Sequence, residues 1–206
     1  MNIQHDTLLV DTSQIPKFER GFKSWSDNTA KTIRSRLGLL KSSPLSPYKL
    51  ADYLNVKIIK PHDITGLPQE TIEYLTSSKG NEWSAVTLRD KIDIIIINTF
   101  HSERRIANTV MHELSHIIRN HDSAQVFMNE TGITIRSYNA LQEAEADWLG
   151  GTLLLPRDVL VHCHFRNYTV EEACGIYGVS SSLFNYRMNI SAVKKQFKRN
   201  YWHKKI

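Results

Sequence analysis

"VMHELSHIIRNHD", residues 110–122, sets two histidines four positions apart with a glutamate beside the first. On an α-helix each residue turns by about 100°, so His112 and His116 project within ~40° of one another. Ile106, Ala107, Val110, Leu114, Ile117 and Ile118 form an apolar arc on the other side. A helix running from about Glu103 to Asn120 behind the capping residue Ser102 would pack through that arc and present both imidazoles from the opposite face. Two neutral imidazoles at i and i+4 can share one Zn²⁺ at ~2.0–2.1 Å. Glu113, about 100° round from His112, is badly placed as a third ligand and well placed to act on a water at the metal. By itself this face is also compatible with a polar, solvent-facing stripe, since Arg105, Asn108, Ser115 and Arg119 share it. A third ligand decides between the two.

Two sources of that ligand are available. A metzincin-like arrangement would use Asp122, but it needs glycine at the position held by Arg119. The second source is "QEAEADWLGGTLLLP", residues 142–156, a helical stretch in which Glu143 and Asp147 share a face completed by Gly150 and Leu154. The small residue lets another helix come close. Glu145 points nearly opposite, toward Leu141, Trp148 and Thr152. Glu143 is therefore the expected third ligand and Glu145 the alternative. Asp147 is the expected acceptor that fixes the tautomer and orientation of a ligating histidine. One Zn²⁺ per chain follows.

Outward from this pair of helices, residues 16–54 read as helical: "SDNTAKTIRSRLGLL", a break at "KSSPLSP", then "PYKLADYLN" with Pro47 in its first turn. "VKIIKP" reads as a strand, "LPQETIEYLTSS" as a short helix opening at Pro68, and "EWSAVTL" with "IDIIIINT" as a hairpin. Residues 121–139 read as a polar connection. A helix over 140–155 is halted by Pro156, and "TVEEACGIYGVSSSLFNYRMN" gives two short helices around Gly178 before a last basic helix. The expected fold is α+β, a zincin-like core with a small twisted sheet packed on the HExxH helix and helical units at both ends. The expected division is residues 1–160 and 161–206.

Composition narrows the class further. The chain has 206 residues, 41% hydrophobic and 23% charged, enough for a real core without staples. Its start lacks a basic segment followed by a long apolar run, and no uncharged apolar stretch approaches the ~20 residues a bilayer requires. A cytoplasmic protein, away from the membrane, is expected. Cys163 and Cys174 are too few for a disulfide framework. The net charge of +5 gathers at Lys194, Lys195, Lys198, Arg199, Lys204 and Lys205. Loose lysines fit a solvated helix face better than base recognition. "VHCHF" places His162 and His164 around Cys163, and on a helix the three diverge, so a buried thiol between surface histidines is expected there. "TVEEACGIYGVSSSLFNYRM" has helix-turn-helix spacing, with Ala173 packing, Gly178 at the turn and Ser180 as cap. It supports a competing function, a DNA-binding regulator with a structural HExxH helix. Its second helix offers only Asn185 and Arg187 as polar readers beside Leu183, Phe184 and Tyr186, so direct nucleic-acid binding is not favoured.

With "IDIIIINT" before "RRIANTVMHELSHIIRNH", then "EAEADWLGGTLLLPRDVL" and "TVEEACGIYGVSSSLFNYRM", the chain resembles the ImmA/IrrE family of metallo-endopeptidases over roughly residues 30–190. The resemblance implies a zinc-dependent, cytoplasmic, thermolysin-like protease whose protein substrate is a specific regulator, often a DNA-bound repressor of a mobile element or stress response. It carries metal ligation onto His112, His116 and Glu143 and the acid/base role onto Glu113. Many relatives have Asn at the position of Asp147, Phe at that of Leu149 and Gly at that of Ser115. The first change suits the same acceptor role, and the others concern packing. Tyr138 and His121 are candidates for an oxyanion donor, and the strand "IDIIIINT" is open to two readings, an exposed substrate-binding edge or a fully paired central strand.

Overall fold

A computed structural model of the chain describes residues 17–80, 82–89, 91–122, 126–128, 134–136 and 139–202. Their order is α1 (Phe22–Arg36), α2 (Pro47–Tyr53), β1 (Lys57–Ile59), α3 (Gln69–Leu75), β2 (Ala85–Leu88), β3 (Ile94–Ile97) and α4 (Glu103–Arg119). There follow β4 (Val126–Met128), β5 (Thr134–Arg136), α5 (Ala140–Leu154), α6 (Arg157–Phe165), α7 (Val170–Tyr177), α8 (Ser181–Ile190) and α9 (Val193–Trp202). The fold is α+β, as expected. No helix among the described residues is long and apolar enough to cross a membrane.

The first sheet has the order β1-β3-β2, with β3 parallel to β1 and antiparallel to β2. Four consecutive isoleucines make β3 suited to the central position, where both faces are covered; Ile95 and Ile97 point into the core. β2 and β3 form the expected hairpin. Of the two readings of "IDIIIINT", an exposed edge or a fully paired central strand, the second holds, because β3 is paired on both sides. The edge that faces the site is β2.

α4 runs beneath this sheet and packs along α5. Val110, Met111 and Leu114 are fully buried, and so is Ser115, whose hydroxyl donates to the Met111 carbonyl at 2.7 Å. The solvent-facing stripe is thereby excluded for this part of the helix: α5 covers it. Gly150 permits the close approach, since a methyl there would lie 3.4 Å from the backbone of Met111 and His112. At that spacing Ala would touch and anything larger would push the helices apart.

The C-terminus of α5 is held by two buried arginines. Arg34 of α1 donates to the carbonyls of Leu153 (2.8 Å) and Leu154 (3.4 Å), and also to Ser43 (3.1 Å). Arg187 of α8 donates from Nε and Nη2 to the Leu155 carbonyl, 3.2 Å each. The last carbonyls of a helix lack intrahelical partners and carry partial negative charge, which a guanidinium answers on both counts.

Three boundaries differ from the sequence reading. α1 starts at Phe22 and stops at Arg36, because Gly38 turns left-handed at φ +67°. The stretch after α4 contains the hairpin β4–β5. Pro156 ends α5 and also stands at the N-cap position of α6, an additional helix. Val159, Leu160 and Cys163 of α6 join one continuous apolar cluster with α5, α7, α8 and Val193 of α9, so residue 160 lies inside a packed helix.

Candidate metal centre

α4 supplies His112 and His116 one turn apart, and the first turn of α5 supplies Glu143. Asn139 fixes where α5 begins, its side chain accepting from the amides of Leu141 (3.1 Å) and Gln142 (3.2 Å). The ligand atoms converge: His112 Nε2 lies 3.0 Å from His116 Nε2 and 3.3 Å from Glu143 Oε2, and His116 Nε2 lies 3.7 Å from Glu143 Oε1. Donors bound at ~2.0–2.1 Å to a tetrahedral ion sit ~3.3–3.4 Å apart, so one zinc ion fits this triangle with small side-chain adjustments. Among the described residues this is the group of His, Cys, Asp and Glu side chains whose ligand atoms meet, all within 4.8 Å.

Electrostatics favours a cation there. Burial pulls the His112 imidazole down, but hydrogen bonds to Asp147 and Glu143, with the charges of Asp147 and Glu113, outweigh it and raise the group to about 10. Hydrogen bonds from His112 and His116 hold Glu143 well below the usual carboxylate range. Positive charge is thus stabilised where the three ligand atoms meet.

The neighbours of each ligand are specific. Asp147 Oδ1 lies 2.8 Å from His112 Nδ1, leaving Nε2 directed at the cluster. Glu113 is buried beside the histidines, and the Thr87 hydroxyl of β2 donates to its Oε2 at 2.5 Å. Thr87 was not singled out from the sequence; its place on an edge strand gives no local signal. A cleft of about 750 Å³ between α1, α5 and α8, lined by Lys23, Asn108, Trp148, Tyr186 and Arg187, borders the cluster only through Asp147; His112, Glu113, His116 and Glu143 do not line it.

Several sequence expectations are corrected. Glu145 is not positioned as a ligand: it is buried, and its Oε2 pairs with Arg119 Nη2 at 2.7 Å and His121 Nε2 at 3.0 Å. Asp122 is exposed and outside the cluster, within 3.5 Å of Gln142 Nε2. His121 faces the Nδ1 side of His116 at 3.0 Å, behind the ligating edge, which removes it as an oxyanion donor. Tyr138 lies outside the described residues. On α6 the sequence reading holds: Cys163 is buried between His162, which leans toward Tyr168, and His164, which stacks on Phe197. The α7–α8 pair does have helix-turn-helix capping: Thr169 and Glu172 make a capping box, Gly178 is left-handed, and Ser180 caps α8. Arg187, however, is buried against Leu155 and cannot read bases.

This arrangement is a two-helix site whose histidine–histidine–carboxylate group could hold a metal ion, with a separate buried carboxylate, Glu113, beside it. The Peptidase M78 family model, described as the IrrE N-terminal-like domain, matches residues 67–189, and the chain belongs to that family. The match spans α4, α5, the edge strand β2, α7 and all but the last residue of α8. No curated protein matches the chain.

Proposed function

We propose that this protein is a zinc-dependent endopeptidase. The observation that carries this reading is the meeting of His112, His116 and Glu143 ligand atoms from two helices, with Glu113 buried alongside. A zinc ion held there would polarise a scissile carbonyl and acidify a water toward pKa ~7. Glu113 takes a proton from the attacking water and delivers it to the departing amine. Thr87 holds the Glu113 carboxylate in place through its hydroxyl. Asp147 keeps the His112 proton on Nδ1.

The substrate is proposed to be an extended segment of a cytoplasmic protein lying along β2. That strand has one paired neighbour, β3, in the sheet order, and Val86 and Leu88 are exposed on it. Strand addition there uses backbone hydrogen bonds for affinity and passes the peptide over Glu113, because Thr87 is on the same strand. A DNA-bound repressor of a mobile element or stress response is the proposed partner; the resemblance in sequence supports it. Purified protein loaded with zinc should cut such a repressor in a chelator-sensitive way. Sequence-specific DNA binding that persists after chelation, with no cleavage of any protein partner, would favour the regulator instead.

A further inference from the structure

His116 is held by a buried chain of groups that the ligand set alone does not require. Its Nδ1 lies 3.0 Å from His121 Nδ1, and His121 Nε2 lies 3.0 Å from Glu145 Oε2. The same oxygen accepts from Arg119 Nε at 2.9 Å and forms an ion pair with Nη2 of that guanidinium at 2.7 Å. The Arg119 guanidinium lies over two rings of α1, 5.2 Å from Phe22 and 5.0 Å from Trp25. Hydrogen-bond direction along this chain follows from one requirement. A ligating Nε2 must offer its lone pair, so the single proton of neutral His116 is on Nδ1. His121 Nδ1 must then accept, which puts the His121 proton on Nε2, pointing at Glu145. Each atom in the row has one role consistent with the next.

Backbone geometry delivers His121 to this place. Asn120 is left-handed at φ +51°, and the amides of Asn120 and His121 bond to the carbonyls of Ile117 and His116, both at 3.0 Å. This Schellman turn folds the chain back so that residue 121 meets the ring of residue 116. Arg89, at the end of β2, fastens the turn from outside, donating to the His121 carbonyl at 3.3 Å and to Asn120 Oδ1 at 3.4 Å.

We infer that His121 and Glu145, braced by Arg119, are positioning residues that hold His116 in its metal-binding tautomer and orientation. The two histidines are thus supported differently. Asp147 supports His112 from a largely exposed position (76%), while the His121 and Glu145 side chains are 5% exposed, in surroundings where a hydrogen bond weighs more. A simpler role, an ion pair that merely glues α4 to α5, would need Arg119 and Glu145 and would not care which atom of residue 121 accepts.

The inference rests on the zinc reading above, and its test separates the two. Zinc affinity is measured by competition with a chromophoric chelator for the wild type, His121→Leu, His121→Asn and Glu145→Gln. His121→Leu should weaken zinc binding about 10- to 100-fold, as loss of such partners does elsewhere. His121→Asn, whose Oδ1 replaces Nδ1 as acceptor, should stay within about threefold of wild type, and Glu145→Gln should fall between. Equal affinities for the Leu and Asn variants would overturn the relay. A second measurement needs no variant: long-range ¹H–¹⁵N spectra of the zinc-loaded wild type should show protons on His116 Nδ1 and His121 Nε2, and the reverse pattern also overturns it. A wild type that binds no zinc refutes the hydrolase itself.

Discussion

At the residue scale, the division of labour between Glu113 and the three ligands makes the sharpest forecasts. Glu113→Gln should retain zinc and lose about 10²–10⁴ in cleavage rate, because it removes proton transfer and leaves the ligands intact. His112→Ala or His116→Ala should lose both zinc and cleavage; atomic absorption on the dialysed variants decides. Protonation of His112 gives a further check. In the metal-free protein its folded value is about 10 against an ordinary 6.5, so the folded state holds the proton more tightly than the unfolded chain. That stabilisation is complete below the unfolded value and disappears as pH rises toward the folded one. Urea unfolding of the metal-free protein should therefore show stability falling between about pH 6.5 and 10, and the slope should flatten in His112→Gln. An unchanged slope in that variant would assign the effect to another group.

Elements carry these residues into register, and here the sequence was legible to different depths. Both metal helices could be read because each spans several turns, so the 3.6-residue period separates Val110 and Leu114 from His112 and His116, and Glu143 and Asp147 from Glu145. The hairpin β2–β3 was equally plain from its isoleucine run. Strands β4 and β5, three residues each, are too short to show alternation, and α6 was hidden because Pro156 stops one helix and precedes another. Contacts between distant residues leave no periodic trace. Nothing local at Glu145 announces His121, and only Asn120, a residue that tolerates a left-handed turn, hints that the chain doubles back. Packing at the helix pair should be correspondingly sensitive. Gly150→Val places side-chain carbons against the Met111 and His112 backbone, and should cost about 1–3 kcal/mol and weaken zinc binding by separating Glu143 from the histidines. Calorimetry and a zinc titration of this variant test both halves. Arg34→Met, which strips donors from the Leu153 and Leu154 carbonyls, should lose about 3 kcal/mol of stability to urea while keeping the ligand set.

Taken as a whole molecule, the chain uses its N-terminal helix, its sheet and its C-terminal helices to hold α4 against α5. Arg34 and Arg187 close the end of α5 from opposite termini of the chain, and Arg119 reaches from the metal helix to the aromatic rings of α1. The α7–α8 pair, which has the outline of a DNA-binding unit, uses its Arg187 for this internal purpose. Zinc K-edge X-ray absorption on the metal-loaded protein tests the joint grip of the two helices most directly. Two imidazole nitrogens at ~2.0–2.1 Å and carboxylate oxygen at ~2.0–2.2 Å are expected, with the carboxylate contribution lost in Glu143→Ala. A spectrum without paired imidazoles, or one unaltered by that substitution, would contradict a site built by α4 and α5 together.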